Sequence, residues 1–320
     1  MNPTFPEPAS AVPLERPDAA ELPAALRRRQ PGAALQPFDQ DYLALKAQVL
    51  LALVNKVVAQ GQFRHDDLLD PRLATLDERV VEYPMVARAI AQAPRKGRLQ
   101  LLDVGCVLNN AAIEPALRPH CDMLWLMNAS VETLQHSLPT AYLLGDARSF
   151  PQPPNLQFDL VTCLSTLEHF GMDNTRYGGQ PAEFEGTIDD PERYACMGLE
   201  RILRWVRPGG EILVSVPYGP FEFLHVDGQP GKPIYYTFDA PRLQRLADVM
   251  QAQGITPTVS CYKVRRGVGW LPCGLQDTDI PRHADGCAAA GGVAFLFGRK
   301  PDAGSGKPLP QTHPKASSLP

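Results

Sequence analysis

The 320-residue chain has no long run of basic residues, no C-x-x-C pair and, at its front, neither a basic segment nor an apolar one that would direct export. Each absence removes a class of function. With 31 Lys and Arg against 35 Asp and Glu, the net charge is -4, and no basic stripe offers a polyanion a path, so no nucleic-acid partner is expected. The seven cysteines (Cys106, Cys121, Cys163, Cys196, Cys261, Cys273 and Cys287) are odd in number and scattered. Several lie inside apolar runs, where a thiol packs as a small hydrophobe, so a reducing compartment is expected. Cys273, His283 and Cys287 share a stretch without zinc spacing, and no metal is expected there. The opening MNPTFPEPASAVPLERPDAA lacks the parts of a signal peptide, and the apolar runs fall short of the ~20 residues a membrane span needs. A cytoplasmic protein without a span is predicted.

What is present is an ordinary globular composition, 44% hydrophobic and 21% charged. Residues 1–38 are rich in Pro and Ala with no sustained period, which predicts a disordered arm with at most a short helix over 21–29, and residues 302–320 predict a similar tail. Residues 39–97 are expected to form N-terminal helices that pack on the core. DYLALKAQVLLALVNKVVAQG has apolar residues on more than one helical face, Asp41 early and Gly61 after its end, and a second helix is expected over 84–92.

From 98 to 301 the pattern changes. The short apolar runs LQLLDVG, DMLWLMN, TAYLLGD, FDLVTCL and GEILVSVP alternate with helical segments, as do strands of a parallel sheet covered by helices on both faces. The ILRWVRPGG that leads into GEILVSVP is read as a helix halted by Pro208 and a turn on Gly209 and Gly210. TPTVSCYKV and GGVAFLFGRK follow with no clear helix between them and predict an antiparallel pair at one sheet edge. The fold class is α/β, an open sandwich.

Ligands of such sheets collect outside the carboxyl ends of the strands. The first run ends at Asp103, Val104 and Gly105, then continues CVLNN; a dinucleotide pyrophosphate would need further glycines there, so the loop argues against a nicotinamide cofactor and suits one without phosphates. The second run ends at Asn128, where a ribose-binding acid is usual; Asn can still hydrogen-bond a hydroxyl, or it caps a following ASVETLQ helix. The third ends at Gly145 and Asp146, where a carboxylate and free amides can complement an adenine edge. The fourth is followed by Glu168 and His169, either a structural pair or a base with a carboxylate to orient it.

LLDVGC, GDAR with FDLVTCLSTLEH, and RWVRPGGEILVSVP, in that order, resemble class I S-adenosylmethionine-dependent methyltransferases over residues 80–300. The chain is most similar to the bacterial small-molecule and glycan-associated branch, whose S-T-[IL]-E-H signature and R-Y-G stretch match Ser165 to His169 and Arg176 to Gly178. The resemblance implies a Rossmann-like sandwich with a seven-stranded, mostly parallel sheet whose last strand is antiparallel. It implies S-adenosylmethionine as cofactor, with Asp103, Gly105 and Cys106 at its methionine end, Asn128 at the ribose, Asp146 and Ala147 at the adenine, and Ser165 also lining it. The chain departs from the family where CVLNN replaces the second loop glycine and where Asn128 replaces the ribose acid.

Methyl transfer from a sulfonium asks the protein mainly for alignment and sometimes for a base. His169, Glu168 and His225 are the catalytic candidates. Arg176, Tyr177, Tyr218 and Tyr236 lie in long Gly-, Pro- and Tyr-rich segments after the fourth and fifth strands and are the acceptor-binding candidates. The expected activity is methylation of a hydroxyl or amine on a small molecule or saccharide. Two other readings stay open: a non-catalytic binding or regulatory protein on a degenerate methyltransferase fold, and a nicotinamide-dependent oxidoreductase. The oligomeric state is not legible.

Overall fold

The computed structural model describes residues 39–153, 155–175, 191–225, 233–285 and 287–302. The Pro-rich arm, most of the C-terminal tail, and Arg176 and Tyr177 lie outside the described residues.

Helix α1, Gln40–Gln60, starts where the Asp39 carboxylate accepts from the Tyr42 amide and ends at Gly61, whose φ of +66° closes the last turn. By length and composition it is the one helix among the described residues apolar enough to cross a membrane. Here Tyr42, Leu45, Val49, Leu53 and Val57 form a stripe that packs into the core and onto α2. Helix α2, Arg79–Gln92, begins more than a turn before Pro84, the expected start, because the Asp77 carboxylate accepts from the Arg79 amide.

The main sheet has eight strands in the order β3-β2-β1-β4-β5-β10-β8-β9. Their ranges are β1 Leu101–Val104, β2 Leu124–Asn128, β3 Thr140–Leu144, β4 Phe158–Leu164, β5 Val206–Pro217, β8 Thr258–Arg265, β9 Gly269–Cys273 and β10 Gly292–Arg299. The first five are parallel, and β10 runs antiparallel between β5 and β8. This is a mixed α/β Rossmann-like sandwich with a mostly parallel sheet, and its strands alternate between two cores. Leu101, Leu124, Leu160 and Leu213 face α1, α2 and the short α3, Glu114–Leu117. Leu102, Met127, Val161 and Ile212 face Leu199 and Leu246 of α4, Glu192–Ile202, and α5, Ala240–Ala252. A hairpin of β6, Phe223–His225, and β7, Pro233–Tyr236, forms a second small sheet.

Several expectations are corrected. The late antiparallel pair exists, but β10 is inserted inside the sheet and the edge belongs to β9, an eighth strand carrying Pro272, a residue that edge strands tolerate. No helix covers 129–139; Asn109 holds that segment open by donating to the Thr133 carbonyl and accepting from the Gln135 amide. Asn128 is therefore not a helix cap. The halt before β5 is also different: α4 and a short 3-10 turn end at Trp205, and β5 starts ahead of Pro208. Residues 207–210 bulge from β4, the register jumping from Phe158–Val206 to Leu160–Glu211, with Gly209 at φ +72°.

Candidate functional site

The carboxyl ends of β1, β2, β3 and β4 share one rim. Register pairs join Val104 to Met127 and Asn128 to Leu144, while the Gly105 amide donates to the Met127 carbonyl and the Gly145 amide to that of Asn128. Asp103 is fully buried beneath this rim. One carboxyl oxygen accepts from the Leu108 amide at 2.7 Å and the other from the Thr162 hydroxyl at 2.7 Å. Burial pushes its pKa up to about 6 against the pull of those bonds. Asp103 thus folds the loop back on the strand, and the turn passes through φ +99° at Gly105 and +58° at Cys106. The Cys106 thiol is pushed far above its ordinary range by burial, which removes it as a nucleophile.

Asn128 meets the Cys106 thiol and donates to the Glu132 carboxylate at 3.0 Å. An acid therefore does stand at the end of β2, supplied from four residues further on. Sequence reasoning missed Glu132 because it looked only at the strand's last position. Asp146, half exposed, accepts from the Arg148 amide and side chain; burial opposes ionisation, but these bonds outweigh it and hold the carboxyl below the usual range. Ala147 beside it is buried in the core.

Beyond β4, Ser165 takes φ +35° and donates to Glu82 of α2 at 2.6 Å, and Ser215 donates to the same oxygen at 2.5 Å. Arg79 pairs with the other oxygen of Glu82, and the Tyr83 hydroxyl donates to the Val107 carbonyl. Helix α2 is thereby laid over the ends of β1, β4 and β5. The Ser165 hydroxyl is turned into this buried knot and not toward the glycine loop. Arg79, Glu82 and Tyr83 were missed by sequence reasoning; a Glu in the apolar run RVVEYPMV was the available signal.

Glu168 and His169 form a 3-10 turn after β4. Glu168 is 1% exposed, one carboxyl oxygen has no partner among the described residues, and burial drives its pKa well up. His169 donates Nδ1–H to the Ile234 carbonyl at 2.7 Å, so Nε2 carries the lone pair, 4.0 Å from Glu168. Burial lowers its pKa to about 4. The Tyr235 ring meets its edge at 5.6 Å. His169 is a neutral imidazole and a weak base, and burial holds the Glu168 carboxyl well above the usual carboxylate range. His225 lies exposed at the end of β6 on the hairpin that carries Tyr235. Tyr218 and Tyr236 are interior: the Tyr218 hydroxyl donates to the Leu275 carbonyl at 2.6 Å, and Tyr236, fully buried, packs on Phe238 with its hydroxyl 3.5 Å from the Pro191 carbonyl. Such placement gives both a packing role instead of an acceptor contact.

The opposite shifts of this pair set opposite pH slopes. The unfolded chain binds a proton at His169 between pH 6.5 and about 4 when the fold does not, so stability falls as the medium acidifies through that window. Glu168 keeps its proton in the fold above 4.5, where the unfolded chain loses it, so stability falls as pH rises. Glu78, pushed up to about 7 mainly by burial, acts in the same direction. Glu168→Gln is expected to flatten the alkaline-side fall, and His169→Gln the acid-side fall. Urea midpoints of the three proteins from about pH 4 to about pH 8 test this; parallel curves would refute both placements.

No family model and no curated protein sequence matches the chain. Among solved structures it is similar to the [4+2]-cyclase SpnF, at 18% identity over 83% of this chain and 98% of that one, with a TM-score of 0.40. It is similar to the N-methyltransferase NodS of Bradyrhizobium japonicum WM9 in complex with S-adenosyl-L-homocysteine, at 12% identity over 78% and 99%, TM-score 0.39. A third is the 1,6-didemethyltoxoflavin-N1-methyltransferase of Burkholderia thailandensis, at 16% identity over 80% and 89%, TM-score 0.38.

Proposed function

We propose that this chain is an S-adenosylmethionine-dependent methyltransferase acting on a hydroxyl or amine of a small molecule or saccharide. The observation that carries the reading is the rim itself: a left-handed turn at Gly105 and Cys106 held from below by Asp103, then the Asn128–Glu132 pair, then Asp146, at successive strand ends. Glu132 and Asn128 supply a carboxylate and an amide for ribose hydroxyls. Asp146 offers its oxygens to an adenine amino group, sharing them with Arg148. The loop lacks the glycines a pyrophosphate demands, and a nucleoside sulfonium makes no such demand.

When bound, that cofactor supplies a methyl group on an activated leaving group. The chain's own task is alignment. A hydroxyl or neutral amine can donate to His169 Nε2, which lies 4.0 Å from the buried Glu168 carboxyl. With a pKa of about 4, His169 orients the acceptor more than it removes its proton.

One observation favours the non-catalytic reading. Asp103, Asn128, Asp146 and Ser165 all have partners within the chain, and Asn109 ties 133–135 to the loop after β1. Isothermal titration with S-adenosylmethionine and S-adenosylhomocysteine, with NADH as control, separates the two. Micromolar binding of the sulfonium and its product is expected, and Asp146→Ala is expected to weaken it by about 1–3 kcal/mol. Binding of neither ligand would hand the fold to the non-catalytic reading.

A further inference from the structure

Cys261 in β8 and Cys273 in β9 are direct register partners on antiparallel strands. Such partners hold their Cα atoms about 4.5–5.5 Å apart, inside the range of about 4.4–6.8 Å that a disulfide spans. The side chains already meet: Cys273 Sγ donates to Cys261 Sγ at 3.0 Å, and Cys261 Sγ to the Cys273 carbonyl at 2.6 Å. Lys263, two residues along the same strand face, brings an ammonium beside them, itself paired with Asp277 at 2.8 Å and with Asp279. Cys261 is 4% exposed, whereas Cys273 is half-buried on the outermost strand, where a small reagent can reach it.

We propose that Cys261 and Cys273 form a thiol–disulfide site, oxidised by a low-molecular-weight disulfide of the glutathione type to an intrachain bond between β8 and β9. The thiolate of one cysteine attacks the S–S bond of the reagent, giving a mixed disulfide and one glutathione thiolate. The second cysteine, after giving up its proton, attacks the protein sulfur of that mixed disulfide and expels the second glutathione. Two protein thiols lose two electrons and two protons, and one oxidised glutathione becomes two reduced ones. The geometry also makes the site selective. Cys273 stands where the reagent reaches it, with Cys261 Sγ 3.0 Å away to resolve the adduct, whereas burial pushes Cys106 and Cys163 far up, Cys121 to about 12 and Cys287 to about 11.

The test equilibrates the full-length protein in glutathione buffers of increasing oxidised fraction, quenches with N-ethylmaleimide, and maps the digested protein by mass spectrometry. The expected product is lighter by two hydrogens, with the peptides containing 261 and 273 joined and the other cysteines still alkylated after denaturation. Cys261→Ser is expected to stop at one glutathione on Cys273, and Cys273→Ser to stay unmodified at Cys261. Alkylation of both thiols at the most oxidising ratio, a persistent glutathione adduct on the unsubstituted protein, or crosslinks spread over other cysteines would each overturn the proposal. Because the wild-type map is decisive alone, a misfolded serine variant does not rescue it.

Discussion

Replacing Gly105 by Ala is expected to destabilise the protein by about 2–6 kcal/mol, from two independent sources. The turn holds φ at +99°, and a side chain in such a region costs of order 1–3 kcal/mol. The new methyl would also stand 2.1 Å from the Thr166 hydroxyl oxygen and 2.9 Å from its Cβ, and overpacking of this kind costs typically ~1–3 kcal/mol. Thr166 has little room to retreat, because its hydroxyl donates to the Leu164 carbonyl at 2.7 Å. Adding Thr166→Gly to Gly105→Ala should therefore recover the steric part and leave the conformational part, a non-additivity read from urea midpoints of the four proteins in the cycle. An additive cycle, or a Gly105→Ala midpoint equal to the parent's, would mean that Thr166 does not rest on the turn. The outcome bears on the proposed cofactor site because the same turn closes the loop that Asp103 holds after β1.

The residues that made the fold legible were the continuous apolar runs, since a strand buried on both faces has no polar side to interrupt it. All five parallel strands were marked by such runs, including β3, an edge strand whose residues are half-buried or exposed. The order of the late strands was not, because whether GGVAFLFGRK lies at the edge or between β5 and β8 depends on long-range pairing that no local pattern encodes. β9 was hidden by Pro272, which reads as a strand breaker unless the strand is already known to be an edge. The missing helix over 129–135 shows tertiary contact overriding local preference, with Asn109 capturing the backbone that ASVETLQ would have coiled.

For the candidate site, strand-end reasoning picked Asp103, Gly105, Asn128 and Asp146, and the topology sets those strand ends on one rim. It missed what comes from elsewhere in the chain. Glu82 reaches Ser165 across 83 residues and Ser215 across 133, and α2 gives no local sign that it crosses the strand ends. It also misjudged Tyr218 and Tyr236, since a tyrosine in a loop-rich segment reads the same whether its ring lines a pocket or fills the core.

Glu82→Ala is the substitution expected to expose how much that crossing helix contributes. The side chain is fully buried, and one of its oxygens accepts from both Ser165 and Ser215 while the other meets Arg79. Removing it leaves two buried hydroxyls without their acceptor and a guanidinium without its partner, and breaking a buried pair from one side costs about 3–5 kcal/mol. Glu82→Gln keeps an acceptor oxygen for the serines and loses only the charge opposite Arg79, so its urea midpoint should fall between parent and Ala. The two variants should also differ locally. With the acceptor gone, α2 loses its hold on the turn at 165–169, and hydrogen exchange there should quicken in Glu82→Ala while the central strand amides of β1 and β4 keep their protection. Glu168 supplies a second readout: the charge of Glu82 raises its pKa and that of Arg79 lowers it, so losing Glu82 should move the alkaline-side stability slope to lower pH. A Glu82→Ala protein with an unchanged midpoint and unchanged exchange at 165–169 would show that α2 is held by its apolar face alone, and that the knot beside Glu168 and His169 does not position them.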